Sequence, residues 1–155
     1  MAWVSAREPG HHLVAMQRDW VHIEIEGPKF NEYLQHEGLK NPLAARAKRD
    51  ASARVGRERY SRYLKCLLRV GAKRDEPFGC RLGHRLDVVP QTNPYAHQAG
   101  DTLRALVLFE GKPLPGAQVV VYRRTGERVA QQRVTTGKRG VATVTERGPQ
   151  NTFWR

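Results

Sequence analysis

Fifteen residues near the C-terminal end constrain this chain more than any others: Leu108-Phe-Glu-Gly-Lys-Pro-Leu-Pro-Gly-Ala-Gln-Val-Val-Val-Tyr122, two apolar runs separated by a Gly/Pro connector. Leu106, Leu108, Gln118, Val120 and Tyr122 fall at period-two spacing, the periodicity of an extended strand. Pro cannot donate to a strand ladder, and Gly111 and Gly116 supply the backbone freedom of a sharp reversal. The stretch therefore reads as a strand, a tight turn and a second strand.

The same reading extends over everything from Asn93 onward. Strands are expected over 102–110, 117–123, 128–135 and 141–146, divided by turns at 111–116, at Thr125-Gly126 and at 137–140. Four strands make a sheet whose edges still need cover. The tail holds two large aromatics, Phe153 and Trp154, with no further strand expected beside them.

Ahead of this region the pattern is mixed. Segments 12–16 and 20–26 are short strand candidates joined by Gln17-Arg18-Asp19, and the second alternates, with Val21, Ile23 and Ile25 on one side and His22, Glu24 and Glu26 on the other. Gly27-Pro28 ends that strand and starts a helix over 29–38, with Phe30, Tyr33 and Leu34 on one face and Gly38 as its stop. A second helix is expected from Asn41, capped by the Asn41 side chain, poor in large apolar residues and broken near Gly56. Residues 59–70 fit a helical stripe (Tyr60, Tyr63, Leu64, Leu67, Leu68) and a strand face (Leu64, Cys66, Leu68, Val70) equally, and a helix-to-strand transition is expected inside them. A loop over 73–79 and a strand over 85–89, stopped by Pro90, follow. The domain organisation expected is 1–91, a β-hairpin with a helical insert, and 92–155, a β domain.

The formal charge is +12, and residues 39–75 carry twelve basic against three acidic side chains. Such a surplus raises a nucleic-acid reading, since clustered Arg and Lys release counterions from phosphate backbones, but no recognition motif accompanies it. Arg is favoured over Lys throughout, which is a habit of composition. Cys66 and Cys80 form no Cys-x-x-Cys pair; an exported chain would allow a disulfide between them, and two buried reduced thiols are the other reading. No run approaches the roughly 20 apolar residues of a membrane span, and the first residues lack a basic start followed by an apolar stretch. Ser5, Ser52 and Ser61 lack a Gly-x-Ser-x-Gly setting, and no Cys/His pair or carboxylate dyad has a supporting motif, so no enzymatic activity is expected. The aromatics Trp20, Tyr60, Tyr63, Tyr95, Phe109 and Tyr122 sit at positions suited to core packing.

Several segments in order carry a resemblance. They are Phe30-Asn-Glu-Tyr-Leu-x-x-Glu-Gly-Leu39, Arg57-Glu-Arg-Tyr-Ser-Arg-Tyr-Leu-Lys65, Leu86-Asp-Val-Val-Pro-x-x-Asn-Pro-Tyr95, Gly100-Asp-x-Leu103 and Val107-Leu-Phe-x-Gly-Lys-Pro-Leu-Pro-Gly-Ala117. Together they resemble an uncharacterised bacterial family labelled as periplasmic components of cobalt or nickel uptake systems. The turn Gly111-x-Pro-Leu-x-Gly-Ala-x-Val119 also resembles that of transthyretin-like and carboxypeptidase-regulatory-like domains. The resemblance implies a mainly β protein, an Ig-like or transthyretin-like antiparallel sandwich with a helical insert, and a periplasmic or extracellular location. It implies a non-enzymatic binding or accessory module whose partners are membrane components of a transport system. Family members usually carry a signal peptide and a first β domain before the region matching His11, and one or two strands after that matching Gly148, so the chain is expected to be truncated at both ends. The family turn Thr-Asp-x-x-Gly is here Thr136-Gly137-Lys138-Arg139-Gly140, which lacks the oxygen ligands of a hard cation.

For nickel or cobalt the candidate ligands are imidazoles: His11, His12, His22, His36, His84 and His97. A three-residue loop at 17–19 would set Val14 opposite His22 and His12 opposite Glu24, gathering His12, His22 and Glu24 on one face; a two-residue loop would disperse them. Three functional readings follow: the metal-uptake accessory module, a basic nucleic-acid-associated protein, and a cell-surface adhesion or glycan-binding module.

Overall fold

Two long stretches free of Gly and Pro decide the front half of the molecule. Between Gly10 and Gly27 there is no Gly or Pro, nor any between Gly56 and Gly71. In the computed structural model, which describes residues 5–73, 77–96, 98, 100–145 and 151–154, each forms one unbroken strand: β1, Gly10–Ile25, and β2, Gly56–Val70, paired as a two-stranded ribbon. The hairpin expected at Gln17-Arg18-Asp19 is therefore absent. That tripeptide has no Gly or Asn to take the left-handed backbone of a tight turn, and a partner strand of 15 residues against 16 keeps it extended. The helix-to-strand transition expected inside 59–70 is likewise a continuous strand, because ladder pairing resolves what periodicity left open.

The chain divides into two units, residues 18–62 and the remainder, and β1 and β2 each contribute residues to both. In the smaller unit, α1 (Gly27–His36) buries Phe30 and Leu34, has Pro28 in its first turn, and is followed by Gly38 at φ +74°. This agrees with the helix read over 29–38. The next helix, α2 (Lys40–Lys48), buries no side chain; Leu39 stands at its N-cap and no side-chain cap bond forms, contrary to the role expected of Asn41. Arg46 fastens it. Its Nε donates to Asn31 Oδ1 at 2.9 Å, its Nη2 to the carbonyls of Ala51 (2.8 Å) and Arg54 (2.7 Å), and its guanidinium lies 4.9 Å from the centre of the Phe30 ring.

Gly56 does not break a helix but begins β2, against that same ring. A Cβ there would stand 2.0 Å from Phe30 Cδ1 and 2.1 Å from Cγ. Gly56→Ala is expected to expel the ring from its site at a cost of about 3 kcal/mol, the upper part of the usual overpacking range. A urea titration followed by circular dichroism checks it, and an unchanged midpoint would contradict the packing.

The larger unit is a β-sandwich. Strand β3 (Leu86–Pro90) pairs antiparallel with β4 (Thr102–Phe109), which also pairs with the short β5 (Lys112–Pro113) and, over 102–106, with β8 (Val141–Thr145). A second sheet has the order β7-β6-β9, where β6 is Gln118–Thr125, β7 is Arg128–Thr135 and β9 is Asn151–Trp154. Val107 from β4, Val119 and Val121 from β6, and Ala142 and Val144 from β8 interlock between the sheets. The molecule is thus mainly β, with antiparallel sheets and two short helices, in keeping with an Ig-like sandwich.

Strands over 102–109, 128–135 and 141–145 lie where the sequence places them, though residue 146 falls outside the described residues. Two features differ. The Gly/Pro connector does not join neighbouring strands: the chain reverses at Glu110-Gly111 into β5 and then crosses, so that β4 and β6 lie in opposite sheets. The tail does find a partner, since β9 pairs with β6 from Val121↔Trp154 to Arg124↔Asn151. Pairing of β3 with β4 also spans the 91/92 boundary, and the loop read over 73–79 ends in a short 3-10 turn, Pro77–Gly79, with residues 74–76 outside the described set.

Candidate functional site

The candidate metal residues are held apart by the continuity of β1. His12 and His22 stand ten positions apart along one strand, and His12 and Glu24 twelve, instead of facing each other across a turn. His12 and Glu24 each have another partner. His12 Nε2 lies 2.7 Å from the Glu8 carbonyl, and because a carbonyl only accepts, that nitrogen carries the proton and is not a ligand. Glu24 Oε1 accepts from Arg57 Nε at 2.8 Å, while His22 is exposed. The remaining imidazoles are scattered: His11 packs on Tyr95, His84 on Tyr63, His36 sits beside Glu37, and His97 lies outside the described residues. Among the described residues no three His, Cys, Asp or Glu side chains gather to hold a metal ion. Calorimetric titration with Ni²⁺ or Co²⁺ is expected to give the same isotherm for the parent and for His22→Ala; a tenfold loss in the variant would show that these residues do cooperate.

Neither thiol is buried. Cys66 and Cys80 are both exposed and free. Period two puts the Cys66 side chain on the strand face opposite Lys65, and it is Lys65 that reaches the Cys80 backbone, so a disulfide would require the strand to turn over.

The concentrated polar chemistry of the larger unit is a pair not singled out by sequence. Asp87 on β3 is 2% exposed and forms an ion pair with Lys65 Nζ of β2, itself 14% exposed. Lys65 also donates to the carbonyls of Cys80 (3.2 Å) and Val88 (3.4 Å), and Asp87 Oδ2 accepts the Leu82 amide at 3.1 Å. Lys65 thus has one ion-pair partner and two carbonyl acceptors. Lys65 is thereby a tie between β2 and β3. Two positions before Lys65, Tyr63 meets the His84 ring at 5.4 Å between centroids. On the same strand, the Leu67 carbonyl accepts from the Tyr95 hydroxyl at 2.8 Å, and the Arg69 guanidinium lies 5.1 Å from the Tyr95 ring. Burial, and after it the neighbouring Cys66, raises the Tyr95 phenol above its ordinary pKa of 10.0, although Arg69 opposes this.

A family model, described as a domain of unknown function (DUF4198), matches residues 2–149. The chain belongs to the DUF4198 family. No curated protein and no solved structure matches it. In this DUF4198 chain two of the motifs quoted above, the one ending at Lys65 and the one beginning at Leu86, meet at the Lys65–Asp87 pair. A signal for it was present in the sequence: Asp87 shares a strand face with Val89, and a carboxylate facing the same way as an apolar neighbour needs a cation.

The basic surplus of residues 39–75 is also put to local use. Arg46 holds the α2 loop, Arg57 pairs with Glu24, Arg59 lies over Trp20 (4.6 Å), Arg62 over Tyr60 (5.3 Å), Arg69 over Tyr95, and Lys65 pairs with Asp87.

Proposed function

We propose that this DUF4198 protein is a non-catalytic, extracytoplasmic binding or accessory module that works with the membrane components of a nickel or cobalt uptake system. The observation that carries the reading is the Lys65–Asp87 tie: two of the segments that resemble the metal-uptake family spend their charged groups on holding β2 to the sandwich. Charged groups spent on a scaffold rather than on a reactive centre suit a module that presents a surface. The periplasmic location and the nickel or cobalt association come from the resemblance.

The test is physiological. A strain lacking the protein is expected to accumulate less nickel or cobalt from limiting medium, and the tagged protein is expected in the periplasmic fraction and to co-purify with transporter subunits. Unchanged accumulation of both ions would overturn the proposal.

A further inference from the structure

The outer face of the β3-β4-β8 sheet changes character along its length. Register places Asp87 beside Leu108, Val89 beside Leu106, and Leu106 in turn beside Val141, a buried apolar stretch. One step further, Arg104 stands opposite Thr143, and there the face is open. Arg104, Val141 and Thr143 line a depression together with Gly137, Lys138 and Arg139 from the turn between β7 and β8.

That turn is fixed from both sides. The Thr136 hydroxyl, 4% exposed, donates to the Leu114 carbonyl at 2.6 Å and accepts the Ala117 amide at 2.8 Å. Gly137 N donates to Val141 O, Gly140 N to Gly137 O, and Val107 N to Gly140 O, at 3.0, 2.8 and 2.8 Å. Lys138 and Arg139 are therefore displayed by a rigid frame, so little backbone ordering would oppose a ligand. The lining holds three cations and no carboxylate, and none of the three forms an ion pair with another described residue.

We infer that this depression binds a doubly charged oxyanion, inorganic phosphate or a phosphomonoester group. Two guanidinium forks can each engage a pair of oxygens, the ammonium supplies a point charge, and the Thr143 hydroxyl supplies a neutral donor. A nucleic-acid strand is a poorer fit, because the lining has no aromatic side chain on which bases stack. The inference is independent of the metal-uptake reading and stands or falls separately from it.

Titration of the full chain with sodium phosphate at low ionic strength, followed by amide NMR, tests it. Saturable shifts are expected at 137–139 and Thr143, and none with sodium chloride at equal ionic strength. Arg104→Ala and Arg139→Ala are each expected to weaken binding about tenfold, the loss typical of one charge-assisted contact. Lys138→Ala, at the exposed tip of the turn, provides a second variant should either of these fail to fold. Arg128→Ala, on β7 in the other sheet, is expected to bind as the parent does. Phenyl phosphate in place of inorganic phosphate distinguishes the sources: tighter binding identifies an ester, weaker binding the free ion. Absence of saturation, equal binding by the Arg104 and Arg139 variants, or shifts spread over unrelated basic residues would each overturn the inference.

Discussion

Lys65→Met is expected to lower the stability of the sandwich by about 3 kcal/mol, since removing the partly buried ammonium leaves the buried Asp87 carboxylate uncompensated. Asp87 would keep only the Leu82 amide while remaining 2% exposed. The loss should be read as a fall in the urea midpoint and as faster hydrogen exchange at the amides of residues 105–108, which lie beside β3. The double variant Lys65→Met, Asp87→Leu is expected to regain most of it, because replacing both partners with apolar groups removes the burial cost together with the attraction. Arg85 and Glu110 supply the contrast: their ion pair at 2.9 Å has side chains 45% and 58% exposed. Solvent screens it, so Arg85→Ala should cost about 1 kcal/mol or less. If the Lys65 and Arg85 variants lose equal stability, the tie between β2 and β3 is not what holds the outer face.

Gly140→Ala should be comparably damaging, for a backbone reason. Gly140 has φ +71°, and a Cβ there would lie 2.8 Å from Leu114 N and 2.9 Å from Val107 O. Left-handed backbone alone costs an alanine about 1–2 kcal/mol. The clash with main-chain atoms on β4 and in the connector cannot be relieved by a rotamer change, which brings the expected loss to about 3–5 kcal/mol. Gly111, at φ +76°, has nothing within 4 Å of its missing Cβ. Gly111→Ala therefore isolates the conformational part, and thermal unfolding of the two variants measures the difference. Equal shifts would mean that the close approach at Gly140 does not constrain the sandwich.

The two tests bear on features of unequal legibility. Glycines at 111, 116 and 140 could be read as turns from the sequence, and all three adopt positive φ. What the Gly/Pro connector joins could not be read, since reversal within a sheet and crossing between sheets use the same residue types. The choice is made by Val107, Val119, Val121, Ala142 and Val144, which must meet across the sandwich. The hairpin at 17–19 is the converse case. Alternation in 20–26 was clear, but the absence of Gly and Pro from both long strands was the stronger signal, and it argues for continuity. The grouping of His12, His22 and Glu24 depended on that hairpin and dissolved with it.

Local order was thus written in the chain itself: period-two alternation, the Pro28 helix start, the Gly38 stop and the glycine turns all act within a few residues, where φ/ψ preference and side-chain direction decide. Partnership was not. Which sheet receives β6, what lies beside 151–154, whether 59–70 is strand or helix, and which cation neutralises Asp87 depend on residues far away in sequence. Those choices follow from burying apolar faces and pairing buried charge, and only the assembled tertiary structure satisfies both at once.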